Sequence, residues 1–426
     1  MNPNITPLRS NNANIGRALW LLTALLFPSF AVSFLRVNVG NLHLPYPSMS
    51  LALICAGAIL YLLMRGGRFK RMAYLSRYQT VAIMCALFFI WHLVSLLLYE
   101  GRNFDGLKEI IKLATGLVMF GAILVFFPRE PAFMERFWRV VLGASVALLI
   151  YLNYRSLEAR NLFLSSLNVD NVTFTGGRNQ VAWYVAAVLQ FAFLRILVPG
   201  QRLRAFLPLA IILFSLMYLA SRAGWLSAGL GLATATILAW RNDRAEGAKI
   251  LLVVLAIAFV IAMGGMWVLD TYAGLNEVAK KFVWIYNPEA VPELHSYEVR
   301  WGRVEEAWDG FMTAPITGVG LQHESYGGTH NDYAGILAQL GAVGELLFLG
   351  ILAFVGKRCL WKPEPFRRSA WISLASRGAY VSIVVSLAFL HNLYTTPFFW
   401  FLLAMVLVAV EVEKTANCPS ASPGTA

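Results

Sequence analysis

The sequence predicts an all-α polytopic membrane protein, and three observations support that class. Hydrophobic residues make up 58% of the 426 residues and charged residues only 14%, whereas soluble domains carry about 25% charged residues. The mean hydropathy is +0.62. The apolar residues also fall into runs of about 20, the length that a helix needs to cross a bilayer. The charged residues behind the net charge of +12 lie in short connectors between these runs. This distribution is typical of charges that orient helices in a membrane, and we expect no nucleic-acid partner.

Twelve apolar runs are long enough to be transmembrane helices. They lie near residues 18–35, 48–64, 78–98, 107–127, 136–154, 180–198, 203–220, 223–240, 250–268, 331–355, 372–391 and 396–413. This pattern divides the chain into transmembrane helices 1–9 (residues 1–268), a loop (residues 269–329) and transmembrane helices 10–12 (residues 330–413). Residues 414–426 are rich in Ser, Pro, Ala and Gly, and we expect a disordered cytoplasmic tail there.

The Lys and Arg residues predict the orientation of the helices. With a cytoplasmic N-terminus, roughly two thirds of the 35 Lys and Arg residues fall on the cytoplasmic side, as the positive-inside rule requires. The loop over residues 269–329 is then periplasmic, as is a smaller segment over residues 155–179. We therefore expect any chemistry carried by the long loop to face the periplasm.

His330 is the candidate for proton transfer. It opens the tenth predicted span, where Thr329 and Asn331 are both suitable N-caps. A helix N-terminus favours anions, and histidine titrates near neutral pH and is the commonest general base. The alternative, that His330 only caps the helix or packs at the interface, stays open from this residue alone.

Two motifs around His330 give a family resemblance. His330 and Asn331 are followed after nine residues by Gly341 and then by Gly344, and this HN-x9-G-x-x-G spacing resembles the signature of the O-antigen ligase family. Residues 314–320, APITGVG, resemble the P-hydrophobic-x-G-x-G turn of the same family, and Arg300 lies fifteen residues before Pro315, where the family has an arginine opening an amphipathic helix.

Two further elements of the chain resemble that family. Ser221, Arg222 and the following Ala-Gly-Trp are similar to its Ser-Arg-Gly/Ala motif at a helix start. Arg178 lies in Gly-Arg-Asn-Gln before another apolar run, which resembles an Asn-containing element of the family. The layout of twelve spans with one dominant outer loop before the tenth fits as well.

The resemblance implies a glycosyltransferase of the Gram-negative inner membrane, multi-pass, with its active site facing the periplasm. Such ligases transfer a glycan from undecaprenyl pyrophosphate to lipid A-core oligosaccharide, among membrane lipids, without nucleotide sugar, metal or other cofactor. The superfamily also contains O-antigen polymerases and O-linked protein oligosaccharyltransferases. The motifs do not separate the three activities, and the chain layout favours the ligase.

The chemistry requires cations around the leaving pyrophosphate. Arginine binds phosphate oxygens through two parallel N–H donors and stays charged. The predicted catalytic residues are His330, Arg222 and Arg300, with His330 as the general base in a reaction that inverts the configuration at the anomeric carbon. The predicted substrate-binding residues are Arg178, Arg303, Asn331, Lys108 and Lys112. Each arginine could instead anchor the chain at the membrane interface, and Arg303 could instead pair with Glu306 or Glu298. The alternative for the two lysines is that their side chains extend to the membrane interface without binding substrate.

The sequence disfavours a transporter function and a catalytic metal site. A secondary transporter tends to show related halves and helices broken near the midplane, whereas here the halves differ and the histidine-bearing feature lies in a loop. A metal site is disfavoured because the chain contains no HExxH or Asp-rich motif.

Overall fold

The computed structural model of the protein describes residues 17–18, 20–25, 36–39, 42–45, 77–98, 104–158, 177–198, 200–219, 221–256, 294–321, 331–361, 371–390 and 393–417. Ten helices have both ends within these ranges: α1 (Gln79–Leu98), α2 (Phe104–Phe126), α3 (Pro131–Glu158), α4 (Gly177–Ile196), α5 (Arg202–Tyr218), α6 (Arg222–Asn242), α7 (Leu294–Thr313), α8 (Asp332–Leu360), α9 (Trp371–Leu387) and α10 (Pro397–Asn417). The predicted helical class is confirmed.

One short β-hairpin adds to the helices. Strands β1 (Arg36–Val39) and β2 (Leu42–Pro45) pair antiparallel, with Val39 opposite Leu42. Gly40 and Asn41, which lie between the strands in the sequence, are outside the described part of the chain. The helical pattern of the sequence gave no indication of this element.

Five helices of the described part are long and apolar enough to cross a membrane: Gln79–Leu98, Gly106–Phe126, Pro131–Tyr154, Ala223–Asn242 and Asp332–Leu360. Val181–Ile196 and Trp371–Leu387 are shorter apolar helices. Nine of the predicted spans correspond to α1–α6 and α8–α10. The total of twelve spans and the periplasmic loop remain predictions, because residues 46–76 and 257–293 lie outside the described ranges.

Helix α10 lies at the centre of the bundle. All of its side chains from Pro397 to Glu413 are buried, and it packs against α2, α3, α8 and α9. A helix that is apolar on every side is expected to be enclosed by others. Helix α4 is enclosed in the same way, between α5, α6 and α9, and its side chains from Val181 to Leu194 are buried.

Ion pairs fix α10 at one end of the bundle. Glu411 accepts hydrogen bonds from Arg129 Nε at 2.7 Å, Arg77 Nη1 at 3.0 Å and Tyr78 OH at 3.1 Å. Arg358 at the end of α8 donates to the Arg77 carbonyl oxygen at 3.1 Å. These contacts bring together the start of α1, the α2–α3 connector and the ends of α8 and α10. We call this the basic end.

Small and polar residues join α4, α6 and α9 in the bundle interior. Gln190 Nε2 donates to the Ala228 carbonyl oxygen at 3.1 Å and to Ser382 Oγ at 3.2 Å. A Cβ added to Gly231 would lie 2.7 Å from Gln190 Nε2, so α6 approaches as closely as it does because glycine is there. Small residues and interhelical hydrogen bonds of this kind hold helices together in membranes, where the hydrophobic effect gives no preference.

Candidate functional site

Helix α8 is broken at Gly341, where φ is 65° and ψ is −169°. The break separates residues 332–340 from residues 342–360 and removes the regular hydrogen bonds to the carbonyl groups before it. Helix α1 satisfies two of these groups: Trp91 Nε1 donates to the Leu340 oxygen at 2.8 Å, and Ser95 Oγ donates to the Gln339 oxygen at 3.4 Å. Polar backbone exposed at a break inside a membrane has to be satisfied by neighbouring elements, and α1 is one of them.

The turn over residues 315–320 docks on the same break. Val319 N donates to the Ala338 oxygen at 2.8 Å, Gly320 N donates to the Gln339 oxygen at 3.1 Å, and Ala342 N donates to the Pro315 oxygen at 2.8 Å. These bonds pair the PITGVG segment with the broken helix much as two strands pair. The two glycine motifs of the sequence are therefore one structural unit.

The glycines of this unit are required by conformation and by space. Gly318 and Gly320 have φ of 73° and 98°, in the left-handed region that L-residues with a side chain rarely adopt. A Cβ on Gly318 would lie 2.5 Å from the nitrogen of Gly341. The backbones of Gly318 and Gly341 are in direct contact, which explains why glycine stands at both of these positions.

Asn331 caps the start of α8. Its backbone is extended, with φ −151° and ψ 109°, and its Oδ1 accepts a hydrogen bond from Ala334 N at 3.2 Å. Of the two expected caps, the structure thus has Asn331. His330 precedes this cap directly but lies outside the described residues, so its role as a base remains a prediction, as does a direct substrate contact for Asn331.

Asp332 anchors the start of α8 from within the helix bundle. Its carboxylate is buried, and Oδ2 accepts a hydrogen bond from Leu393 N at 2.9 Å. The adjacent Tyr333 OH donates to the Val384 oxygen at 2.9 Å. These contacts fix the residue next to the cap against α9 and the α9–α10 connector. Asp332 was not among the residues predicted from the sequence, although an ionisable residue in the first turn of a membrane helix is itself a signal of function.

Arg222 and Arg178 lie at two neighbouring helix starts. Arg222 is the first residue of α6, which Ser221 caps by accepting a hydrogen bond from Gly224 N at 3.3 Å. Arg178 is the second residue of α4. A Cβ on Gly224 would lie 2.7 Å from Ala182 Cβ, so the first turn of α6 is in close contact with the second turn of α4. The side chains of both arginines lie outside the described part of the chain.

Helix α9 connects these starts to the start of α8. Ser386 Oγ donates to Ser227 Oγ of α6 at 2.9 Å, and Val384 accepts from Tyr333 of α8. Ser227 lies five residues after Arg222, about 7.5 Å along the helix at 1.5 Å per residue. The N-termini of α4, α6 and α8 therefore lie at the same end of the bundle, opposite the basic end. We call this the site end, and the positive dipole ends of these three helices favour an anion.

Arg300 and Arg303 lie on α7, which packs against α8. They are three residues apart and share one face of the helix. Both are half-buried, and both interact with other residues of the chain. Because α7 leads directly into the docked turn, the geometry of the break also fixes the C-terminal end of the helix that carries them.

The two predicted lysines have different surroundings. Lys112 Nζ donates to Glu109 Oε1 at 2.6 Å, and Glu109 is buried. A phosphate would have to compete with that carboxylate for the ammonium group. Lys108 is half-buried and also interacts within the chain. A Cβ on Gly106 would lie 3.7 Å from Leu321 Cβ, so the start of α2 that carries the lysines borders the docked turn.

His92 is a buried histidine that the sequence analysis did not single out. It lies on α1, its Nδ1 is 2.8 Å from the Phe88 carbonyl oxygen, and its ring stands edge-on to that of Phe88. Its Nε2 has no hydrogen-bond partner among the described residues. Within that same part of the chain, no group of three or more His, Cys, Asp or Glu side chains could hold a metal ion.

The fold and the site define a class: a multi-span membrane protein with a broken helix and converging helix starts at one end. Residues 207–349 match the model of a family described as O-antigen ligase. The matched segment contains the Ser221 cap, the docked turn and the broken helix as far as residue 349. The resemblance predicted from the motifs is thereby confirmed, and the match supports a glycosyltransferase of the ligase or polymerase type. A search of curated proteins gives no match to the chain.

Proposed function

We propose that the protein is an O-antigen ligase, which transfers a glycan from undecaprenyl pyrophosphate to lipid A-core oligosaccharide at the periplasmic face of the inner membrane. The observation that carries the proposal is the docking of residues 315–320 on the break at Gly341, within the segment that matches the family. This docking unites both motifs of the resemblance in one structural unit on the helix that begins directly after His330 and Asn331.

In the proposed reaction His330 removes the proton from the acceptor hydroxyl while the hydroxyl oxygen attacks the anomeric carbon of the donor sugar. The new glycosidic bond forms on the face opposite the pyrophosphate, the bond from the anomeric carbon to the pyrophosphate oxygen breaks, and the configuration inverts. The bonding electrons leave with the pyrophosphate, and the proton stays on His330 until solvent accepts it. General-base assistance of this kind contributes typically 10²–10⁴-fold to a rate, to order of magnitude.

The leaving pyrophosphate is bound in this proposal by arginines at the site end. Arg222 and Arg300 stabilise the negative charge that develops as the bond breaks, and Arg178 and Arg303 hold the remaining phosphate oxygens. The support is positional: Arg178 and Arg222 occupy the first turns of two helices in contact. Helix starts stabilise nearby anions by about 0.3–1 kcal/mol each, which adds to the charge-assisted hydrogen bonds of arginine.

Two related activities and one unrelated activity are the alternatives. An O-antigen polymerase or an O-linked protein oligosaccharyltransferase would use the same donor chemistry with another acceptor. A secondary transporter would also explain a helix broken within the bundle. The family match favours transfer chemistry, and uptake of solute by proteoliposomes, set against glycan transfer in detergent, separates the two classes.

The deciding experiment is deletion of the gene followed by inspection of the lipopolysaccharide. Loss of all polymer from the core, with accumulation of lipid-linked polymer, is the result expected for a ligase. Cores capped with single repeat units would mean a polymerase instead. Unchanged lipopolysaccharide with a loss of protein glycosylation would mean a protein oligosaccharyltransferase.

The base assignment needs its own experiment with purified protein. His330→Ala should retain binding of the lipid-linked donor and lose transfer, because the protein loses the proton acceptor and keeps the arginines. Binding and single-turnover transfer are measured separately on the same preparation. Transfer at the normal rate by this variant would refute His330 as the base without refuting the ligase function.

A further inference from the structure

Four arginines gather at the basic end where α3, α4 and α5 meet, and we call them the arginine cluster: Arg139, Arg195, Arg202 and Arg204. The tight turn between α4 and α5, in which Gly200 has φ of 82°, brings the last three together. The charges of Arg139 and Arg204 both act on the Arg195 guanidinium. Like charges are thus held close to one another at the edge of the bundle.

Only one carboxylate offsets these charges among the described residues around the cluster. Arg195 Nε donates to Gln201 Oε1 at 2.9 Å, and Gln201 Nε2 donates to Glu135 Oε1 at 3.0 Å. Arg139 Nη2 lies 3.7 Å from the same Glu135 oxygen. Glu135 is therefore shared, directly or through Gln201, by two arginines. An additional anion would relieve the repulsion that remains.

Arg202 and Arg204 are available to such an anion. Both side chains are exposed, and neither forms an ion pair with a carboxylate of the described residues. They stand at the first and third positions of α5, on either side of Leu203, and the charge of Arg204 acts on the half-buried Arg195. A phosphate group suits this arrangement, because guanidinium groups bind its oxygens in pairs.

An apolar surface begins at the same turns of α5. Leu203 is 91% exposed, Phe206 64% and Leu207 65%, and their spacing of three and four residues places them on one face of the helix. A free phosphate would use only the arginines. A phospholipid would use both parts, with its phosphate on the cluster and its acyl chains along this face.

We propose that the arginine cluster is a binding site for the headgroup of an anionic phospholipid in the leaflet at the basic end. Basic groups between membrane helices at a leaflet surface recognise anionic headgroups, and the exposed face of α5 gives the acyl chains a place to lie. The cluster lies at the opposite end of the bundle from the start of α8, and the inference does not depend on the proposed enzymatic function.

The test is lipid binding by the purified full-length protein, measured by native mass spectrometry after delipidation. Phosphatidylglycerol is titrated against phosphatidylcholine, with wild type and R202Q/R204Q compared. We expect wild type to prefer phosphatidylglycerol and the variant to bind it at least 5-fold more weakly, since each arginine near an anionic surface is worth about 1 kcal/mol, or roughly 5-fold. The matched control is R241Q/R244Q, which removes the same charge from exposed arginines around the end of α6 and should bind as wild type does.

Three outcomes would overturn the proposal. One is an equal loss in the two variants, which would mean that the overall charge attracts lipid. Another is equal binding of phosphatidylcholine and phosphatidylglycerol by wild type. The third is displacement of the lipid by inorganic phosphate at the same concentration, which would make free phosphate the ligand. Unchanged melting temperatures in detergent establish that the variants are folded.

Discussion

Gly318 and Gly341 lie backbone against backbone. A Cβ atom added to Gly341 would be 2.6 Å from the nitrogen of Gly318, and one added to Gly318 would be 2.5 Å from the nitrogen of Gly341. Both residues have positive φ. The contact joins the turn that follows α7 to the break in α8, and it determines how the helix behind His330 is held.

Gly341→Ala should therefore damage both folding and transfer. The side chain would have to occupy a backbone region that is essentially restricted to glycine, at roughly 1–3 kcal/mol, and would press on the turn at Gly318. We expect a lower melting temperature and little transfer in the folded fraction. Gly121→Ala is the control, since a Cβ there meets no atom within 4 Å. Wild-type transfer by Gly341→Ala would mean that the docked turn is not needed for activity.

Trp91→Phe should separate the role of the break from general stability. The change keeps an aromatic ring and removes the Nε1 donor to the Leu340 oxygen, and a hydrogen bond of this partly buried kind contributes about 0.5–1.5 kcal/mol to stability. Tyr380→Phe removes a comparable bond, 2.7 Å long, to the Leu352 oxygen in the unbroken part of α8. Both variants should melt earlier, and only Trp91→Phe should slow transfer. Equal transfer rates would contradict a special role for the bond at the break.

Asp332 should be tolerant of asparagine and intolerant of alanine. Asparagine keeps an oxygen that can accept from Leu393 N, whereas alanine leaves that buried N–H group unsatisfied, at about 1–3 kcal/mol. We expect Asp332→Asn to keep most of the stability and transfer and Asp332→Ala to lose both. Thermal unfolding and single-turnover transfer measure the two effects. If asparagine and alanine prove equally harmful, the negative charge matters more than the hydrogen bond.

Arg222→Ala should abolish transfer, and Arg222→Lys should recover little of it. Removing one donor to a developing oxyanion costs roughly 10²–10³-fold in rate, and lysine keeps the charge without the planar pair of donors. Turnover and donor affinity are measured separately. Arg241→Ala, at the other end of α6, is the control. Full recovery of transfer by Arg222→Lys would mean that Arg222 contributes only its positive charge and not its planar pair of donors.

Glu411→Ala and Arg77→Ala both break the contact between these two residues, but they should differ in stability because only Glu411→Ala also removes the partner of Arg129. The Arg129 side chain is 13% exposed and would keep a nearly buried charge without Glu411, and breaking a buried pair from one side costs about 3–5 kcal/mol. The Arg77 side chain is 59% exposed, and exposed pairs are worth about 0–1 kcal/mol. Thermal unfolding in detergent should show a large loss for Glu411→Ala only. Similar losses would mean that Arg77 and Arg129 contribute equally to the basic end.

Local patterns in the sequence predicted much of what the structure contains. Run length and hydropathy predicted nine helices that the structure describes, and the residue types around Ser221 and Asn331 predicted helix starts, each of which has a capping side chain. The sequence placed Arg178 and Arg222 directly before two spans, and the structure includes both residues in the first turns of α4 and α6. These features depend on neighbours within a few residues, which a sequence displays directly.

The partners of distant residues could not be predicted in this way. Nothing near Trp91 indicates that its indole nitrogen reaches Leu340, 249 residues later. Asp332 stood beside the motif, but its bond to Leu393 depends on the connector between α9 and α10. The bond from Gln201 to Glu135 likewise required α3 to meet the turn between α4 and α5.

The sequence by itself determined that the chain forms membrane-length helices, where several of them begin, and which family it resembles, because hydropathy and capping act locally. Only the tertiary structure decided that residues 315–320 pair with a break at Gly341 and that the starts of α4, α6 and α8 face the same end. Those relationships arise from close packing and from the need to satisfy backbone groups freed inside the bundle. That need is met by whichever elements the fold brings near.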